Sequence, residues 1–169
     1  MDKKKLTLRQ ITLFGMLGAL TFGAKVAMAG LPNIEPTSLM VMLFAVTFGW
    51  KALYPIYLYV LLEILLYGFG LWNAMYLYIW AILMLGALAM RRLKNPLWWA
   101  LLSGFFGLAF GFLCSPVYIA TGGLKYAVAA WVYGLPFDYL HAAGNFVMAL
   151  LLFVPLRKLL QKLYAQINR

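Results

Sequence analysis

The chain has 169 residues, of which 66% are hydrophobic and 11% charged, with a mean hydropathy of +0.89 and a formal net charge of +10. Soluble domains of this size do not need so apolar a surface, and the class indicated is a multi-span membrane protein. The positive charge does not point to nucleic acid, because the basic residues flank apolar runs without an amphipathic basic helix or an RNA-binding motif; lipid headgroups are the expected counterions.

In chain order, the apolar stretches run from about Leu8 to Ala29, Thr37 to Gly49, Ala52 to Gly70, Ala74 to Met90, Leu97 to Ala120 and Leu135 to Leu160. Basic residues fill alternate gaps between them. These are Lys3, Lys4, Lys5 and Arg9, then Lys51, then Arg91, Arg92 and Lys94, and finally Arg157, Lys158, Lys162 and Arg169; Lys25 and Lys125 stand outside the series. The positive-inside bias therefore puts both termini in the cytosol. The first stretch follows basic residues as a signal peptide would, yet Leu13 to Ala29 is too long for an apolar signal core and further stretches follow, so it is expected to be a retained helix.

The second stretch decides the count. Its roughly 13 residues reach only ~20 Å at ~1.5 Å per residue, short of a ~30 Å hydrocarbon core, whereas one helix from Thr37 to Gly70 would reach roughly 50 Å. A single helix there also throws Arg91, Arg92 and Lys94 to the outside, against the charge bias. A turn at Gly49, Trp50 and Lys51, with Pro55 early in the next helix, restores consistency. The expectation is an all-α integral membrane protein of the cell membrane, one domain over residues 1–169 with six transmembrane helices and both ends inside.

On that topology the outer connections are polar and aromatic, the inner ones short and basic. The outer set comprises Gly30 to Thr37, Gly68 to Asn73, and Tyr118 to Tyr133 with Thr121, Gly122 and Gly123. Glu35 and Asp138 lie toward this side, and Glu63 lies within the third stretch.

Four groups of residues stand out. Gly15, Ala19 and Gly23 recur every four residues and make a flat stripe against which another helix can pack; Gly18, Ala27 and Gly30 broaden it, and Gly104, Gly107 and Gly111 form a second, internal stripe. Lys25, nearby, can snorkel or pair with an acidic group. Tyr59, Glu63 and Tyr67, four apart, share one helix face, and an ionisable group at that depth is expected to line a cavity rather than face lipid. Trp72, Asn73, Tyr76 and Trp80 open the fourth helix as an aromatic belt or as a pocket wall with Asn33, Glu35, Tyr118 and Trp131. Asp138, His141 and Asn145 share a face just after Pro136, which is expected to start the last helix.

Asp beside His is the geometry of an oriented general base, but no nucleophile or second carboxylate is spaced to complete a site, so ligand contact ranks above catalysis. One cysteine and one histidine give neither a disulfide framework nor a Cys/His metal site, and Cys114 reads as a small buried hydrophobe. No nucleotide-binding loop is present, so any energy must come from a partner.

Taken together, the stripe, Leu31-Pro-Asn-Ile-Glu35, Glu63 followed by Tyr67-Gly-Phe-Gly-Leu-Trp72, Tyr76-Leu-Tyr-Ile-Trp80, Phe110-Gly-Phe-Leu-Cys114 and Gly134-Leu-Pro-Phe-Asp138 give a chain that resembles the substrate-binding S-components of energy-coupling factor vitamin transporters. It is most similar to the cobalamin-specific branch. The resemblance implies a non-catalytic subunit without a cofactor or metal of its own. It would capture a vitamin outside, dock through Gly15, Ala19 and Gly23 on a transmembrane coupling protein, and rely on two cytoplasmic ATPases that bind the ATP and magnesium. Cobalamin would meet Asn33, Glu35, Glu63, Trp72, Asn73, Tyr76, Tyr118, Trp131, Asp138, His141 and Asn145. The alternatives are another vitamin or a nucleobase precursor held around Glu63, and an intramembrane enzyme using Asp138 and His141.

Overall fold

The computed structural model describes residues 6–31 and 34–167. The described residues form helices α1 (Leu8–Ala27), α2 (Thr37–Phe48), α3 (Leu53–Tyr67), α4 (Leu71–Ala89), α5 (Pro96–Leu108) and α6 (Phe110–Ile167), with a 3-10 turn at Gly49–Ala52. Four helical segments are long and apolar enough to cross a membrane: Leu8–Ala27, Thr37–Tyr67, Leu71–Ala89 and Pro96–Ile167. Two of these double back on themselves.

The first reversal lies at Gly49, whose φ of 61° ends α2 in a conformation costly for any residue with a Cβ. Contacts on either side show the change of direction. Phe48, at the end of α2, packs edge-on to Phe14 of α1 at 5.0 Å, while Phe14 also stacks on Tyr54 at the start of α3 at 5.9 Å. The expected turn at residues 49–51 is therefore present, and α2 runs antiparallel to both neighbours. The second reversal lies inside α6 at Gly123, with φ 79° and ψ 175°, a region open essentially to glycine alone. It divides α6 into arms at 110–122 and 124–167. The second arm returns along α5: Trp99 stacks on Phe153 at 4.2 Å, and Gly107 meets the backbone of His141 and Ala142 so closely that a Cβ there would sit 2.8 Å from Ala142 N.

Local chemistry explains the ends. Thr7 caps α1 by accepting from the Gln10 N–H at 3.2 Å, while the Gln10 side chain accepts in return from the Thr7 N–H at 3.4 Å. Asn95 caps α5 through the Leu97 N–H at 2.9 Å, with Pro96 at the first helical position, where its missing N–H costs nothing. Helix α2 is apolar nearly all round and sits in the middle, with nine of its residues buried from Thr37 to Phe48. Asn145 ties this central helix to its neighbours by donating to Ser38 Oγ at 3.0 Å and to the Ser103 carbonyl at 3.3 Å.

The packing gathers the basic residues. Lys51 donates to Gln10 Oε1 at 3.2 Å, Arg157 donates to the carbonyls of Leu93 and Arg91 at 3.1 and 3.0 Å, and Tyr164 meets Phe48 edge-on at 4.8 Å. One end of the bundle thus holds Lys51, Arg91, Arg92 and Arg157; Lys25, Glu35, Glu63 and Asp138 belong to the other.

Several sequence-based boundaries move. Tyr118 to Tyr133, expected as an outer connection, is helical on both sides of Gly123, and the last helix begins at residue 124 rather than Leu135, with Pro136 inside it. The connection expected from Gly68 to Asn73 shrinks to residues 68–70, because α4 starts at Leu71 and Asn73 turns back to accept from the Gly70 N–H at 2.8 Å. Gly18 does not widen the outer stripe: a Cβ there would sit 2.9 Å from the Pro55 carbonyl oxygen, so it is the contact of α1 with α3.

Candidate functional site

At the end away from the basic clusters, one side chain gathers four helices or connections. Lys25, from the last turn of α1, donates to Glu63 Oε2 at 3.2 Å, Tyr59 Oη at 3.3 Å and Tyr76 Oη at 3.1 Å, and pairs with Glu35 Oε2 at 3.7 Å. It also stands 5.0 Å over the Tyr76 ring. Three N–H groups facing four oxygens leave the ammonium saturated. Tyr59 and Glu63 share a buried face of α3 as their spacing predicts, whereas Tyr67 is exposed and packs with Phe22. Glu35 lies in the segment between α1 and α2, where burial pushes its carboxyl above the ordinary value of 4.5 while the Lys25 ammonium pulls the other way.

This cluster forms a wall of a partly open cavity of about 440 Å³, whose lining includes Lys25, Leu31, Ile34, Glu35, Glu63, Tyr67, Trp72, Tyr76, Phe110 and His141. A second chamber of about 300 Å³ adjoins it, lined among others by Gly111, Cys114, Tyr118, Phe137 and Asp138. Trp72, Phe110 and His141 belong to both walls. Two wall residues carry buried polar atoms with no hydrogen-bond partner: Glu63 Oε1 and His141 Nε2. Leaving such a group unpaired costs about 1–3 kcal/mol, more when it is charged. His141 is held by an edge-on contact with Phe110 at 4.9 Å.

The residues singled out from sequence separate into three groups. Glu35, Glu63, Trp72, Tyr76, Tyr118, Asp138 and His141 line one or both chambers. Asn73, Trp131 and Asn145 line neither: Asn73 caps α4, Trp131 packs edge-on to Phe112 at 5.5 Å, and Asn145 is the interhelical tie. Asn33 lies outside the described residues. Asp138 and His141 do not pair either. The carboxylate instead accepts from the Gly111 N–H at 3.1 and 3.2 Å, so it is not the group that orients the imidazole. Lys25 is the cavity-wall residue that the spacing patterns underrated; its signal was a cation near the end of an apolar helix in a chain with few carboxylates to pair it.

On the outside of α1, a Cβ at Gly15 or Gly23 would meet nothing within 4 Å, and Ala19 and Gly23 are exposed. The stripe is open, whereas Gly104 and Gly107 are filled by α6. No known protein family, no curated protein and no solved structure matches this chain.

Proposed function

We propose that this chain is the substrate-binding membrane subunit of an energy-coupling factor importer. It is a six-span protein of the cell membrane with both termini in the cytosol. It captures a vitamin outside, cobalamin in the first reading, and passes it inward after docking by Gly15, Ala19 and Gly23 on a coupling protein with two ATPases. The observation that carries this reading is a ligand-sized cavity at the end of the bundle opposite the basic clusters. Its 440 Å³ falls in the ~300–1,000 Å³ range of small-molecule sites, and walls that include Tyr67, Trp72, Tyr76 and Phe110 suit a flat solute. The open stripe on α1 suits a helix partner.

A corrin with its amide side chains would need both chambers and further opening. A second reading, a smaller vitamin or nucleobase precursor around Glu63, is favoured by the limited volume of the cavity. Equilibrium binding of a vitamin panel to the purified chain in nanodiscs separates the two. Submicromolar binding of cobalamin supports the first; tight binding of a small heterocycle without cobalamin binding replaces it with the second. Binding of no vitamin, with no ATPase-dependent uptake in cells, would sink the transport reading altogether.

A further inference from the structure

The cavity wall is unbalanced in its hydrogen bonding. Lys25 spends its N–H groups on Tyr59, Glu63 and Tyr76, with Glu35 as a fourth acceptor at 3.7 Å. Two carboxylates therefore share one ammonium, which leaves a formal surplus of one negative charge. Glu63 is 6% exposed and His141 4%, and each keeps a buried polar atom, Oε1 and Nε2, without a partner. Asp138 adds a third carboxylate in the adjoining chamber, past His141. Among the described residues that line this space, carboxylate oxygens outnumber cationic N–H groups, and the one ammonium, that of Lys25, is already used. Aromatic faces from Trp72, Tyr76 and Phe110 border the same space.

From this we infer that the solute is a flat nitrogen heterocycle bearing an amino or amidine-type N–H group, which donates to Glu63 Oε1 and reaches His141 Nε2 while its ring lies among Trp72, Tyr76 and Phe110. Donation to Glu63 completes the coordination that Lys25 half supplies, and a positive charge on the solute offsets the surplus carboxylate. A carboxylate-bearing solute would instead have to displace Glu63 or Glu35 from Lys25. The inference rests on the solute-capture reading but specifies the chemistry of the solute independently of which transporter partner, if any, is present.

The test is equilibrium binding to the full chain in nanodiscs, followed by Trp fluorescence and calorimetry, with matched probes. Adenine, 4-aminopyrimidine and benzamidine are compared with purine, pyrimidine and benzoate. The amino and amidine probes are expected to bind at least tenfold more tightly than their partners, and Glu63→Gln to remove most of that difference. Should Glu63→Gln fail to fold, His141→Leu reads the opposite wall and is expected to weaken the same probes. Equal affinity within each pair, no measurable binding of any probe, or selectivity unchanged in both variants would overturn the inference. Cobalamin binding that survives those outcomes would leave the capture reading standing without it.

Discussion

Lys25 is the residue on which the site depends, because its neighbours cannot be satisfied without it. Replacing it by Met leaves Glu63 buried with two unpaired oxygens and Glu35 without a counterion, and breaking a buried pair from one side costs about 3–5 kcal/mol. The expected result is a large drop in the thermal midpoint of K25M in detergent, partly restored in the double variant K25M/E63Q; an additive double variant would show that the pair is not coupled. Glu35 gives a pH dependence of defined sign. Burial raises its folded-state value above the ordinary 4.5, so the fold binds the proton more tightly than the unfolded chain does. Its contribution to stability is therefore full below that ordinary value and declines as pH rises through the raised one. A midpoint-against-pH profile should lose that decline in Glu35→Gln. At this scale the sequence was readable where chemistry forced it: Glu63 and Lys25 are ions in apolar helices and had to find each other or a cavity. Asn73 and Asn145 show the limit of such reading, since an amide within an apolar helix serves a cap or an interhelical bond, as these two do, as readily as a ligand.

At the scale of elements, the glycines divide by what they touch. Gly107→Ala would press a Cβ to 2.8 Å from Ala142 N and His141 C, atoms of a packed backbone that cannot rotate away. It should wedge α5 from α6 and lower the thermal midpoint, with overpacking worth about 1–3 kcal/mol. Gly15→Leu, on the open side of α1, should leave the midpoint unchanged yet reduce co-purification with a coupling protein; loss of stability there would mean that the stripe is internal. Gly123→Ala should cost about 1–3 kcal/mol for its backbone conformation alone. The helix centres were visible in the hydropathy because each has to bury apolar faces. Their ends were not. The Tyr118 to Tyr133 stretch has the glycines and aromatics of a loop, but only Gly123 needs one, and the Ala, Val and Leu residues beyond it continue the helical ladder past the apolar core.

For the whole molecule, sidedness is the property that ties fold to function. Lys51, Arg91, Arg92 and Arg157 share one end, and the cavity sits near the other. In intact cells an impermeant thiol reagent should modify a cysteine placed at Ile34 and spare one placed at Arg92, in a background where Cys114, which is buried, has been replaced. The reverse pattern would invert the orientation and turn the cavity toward the cytosol. The gathering of Lys51, Arg91, Arg92 and Arg157 at one end was legible in the alternation of charged and apolar runs, because alternate connections of an up-and-down bundle share an end. What that alternation could not carry is which helices touch, since the pairing of α1 with α3 and the central place of α2 rest on contacts between residues far apart in sequence, such as Lys25 with Glu63 and Asn145 with Ser38. Helix α1 is a rod with two different sides. Its uninterrupted hydrogen-bond ladder carries the Lys25 ammonium on one flank and the bare glycine track on another, so the cation and the open track are held in fixed register on a single rod.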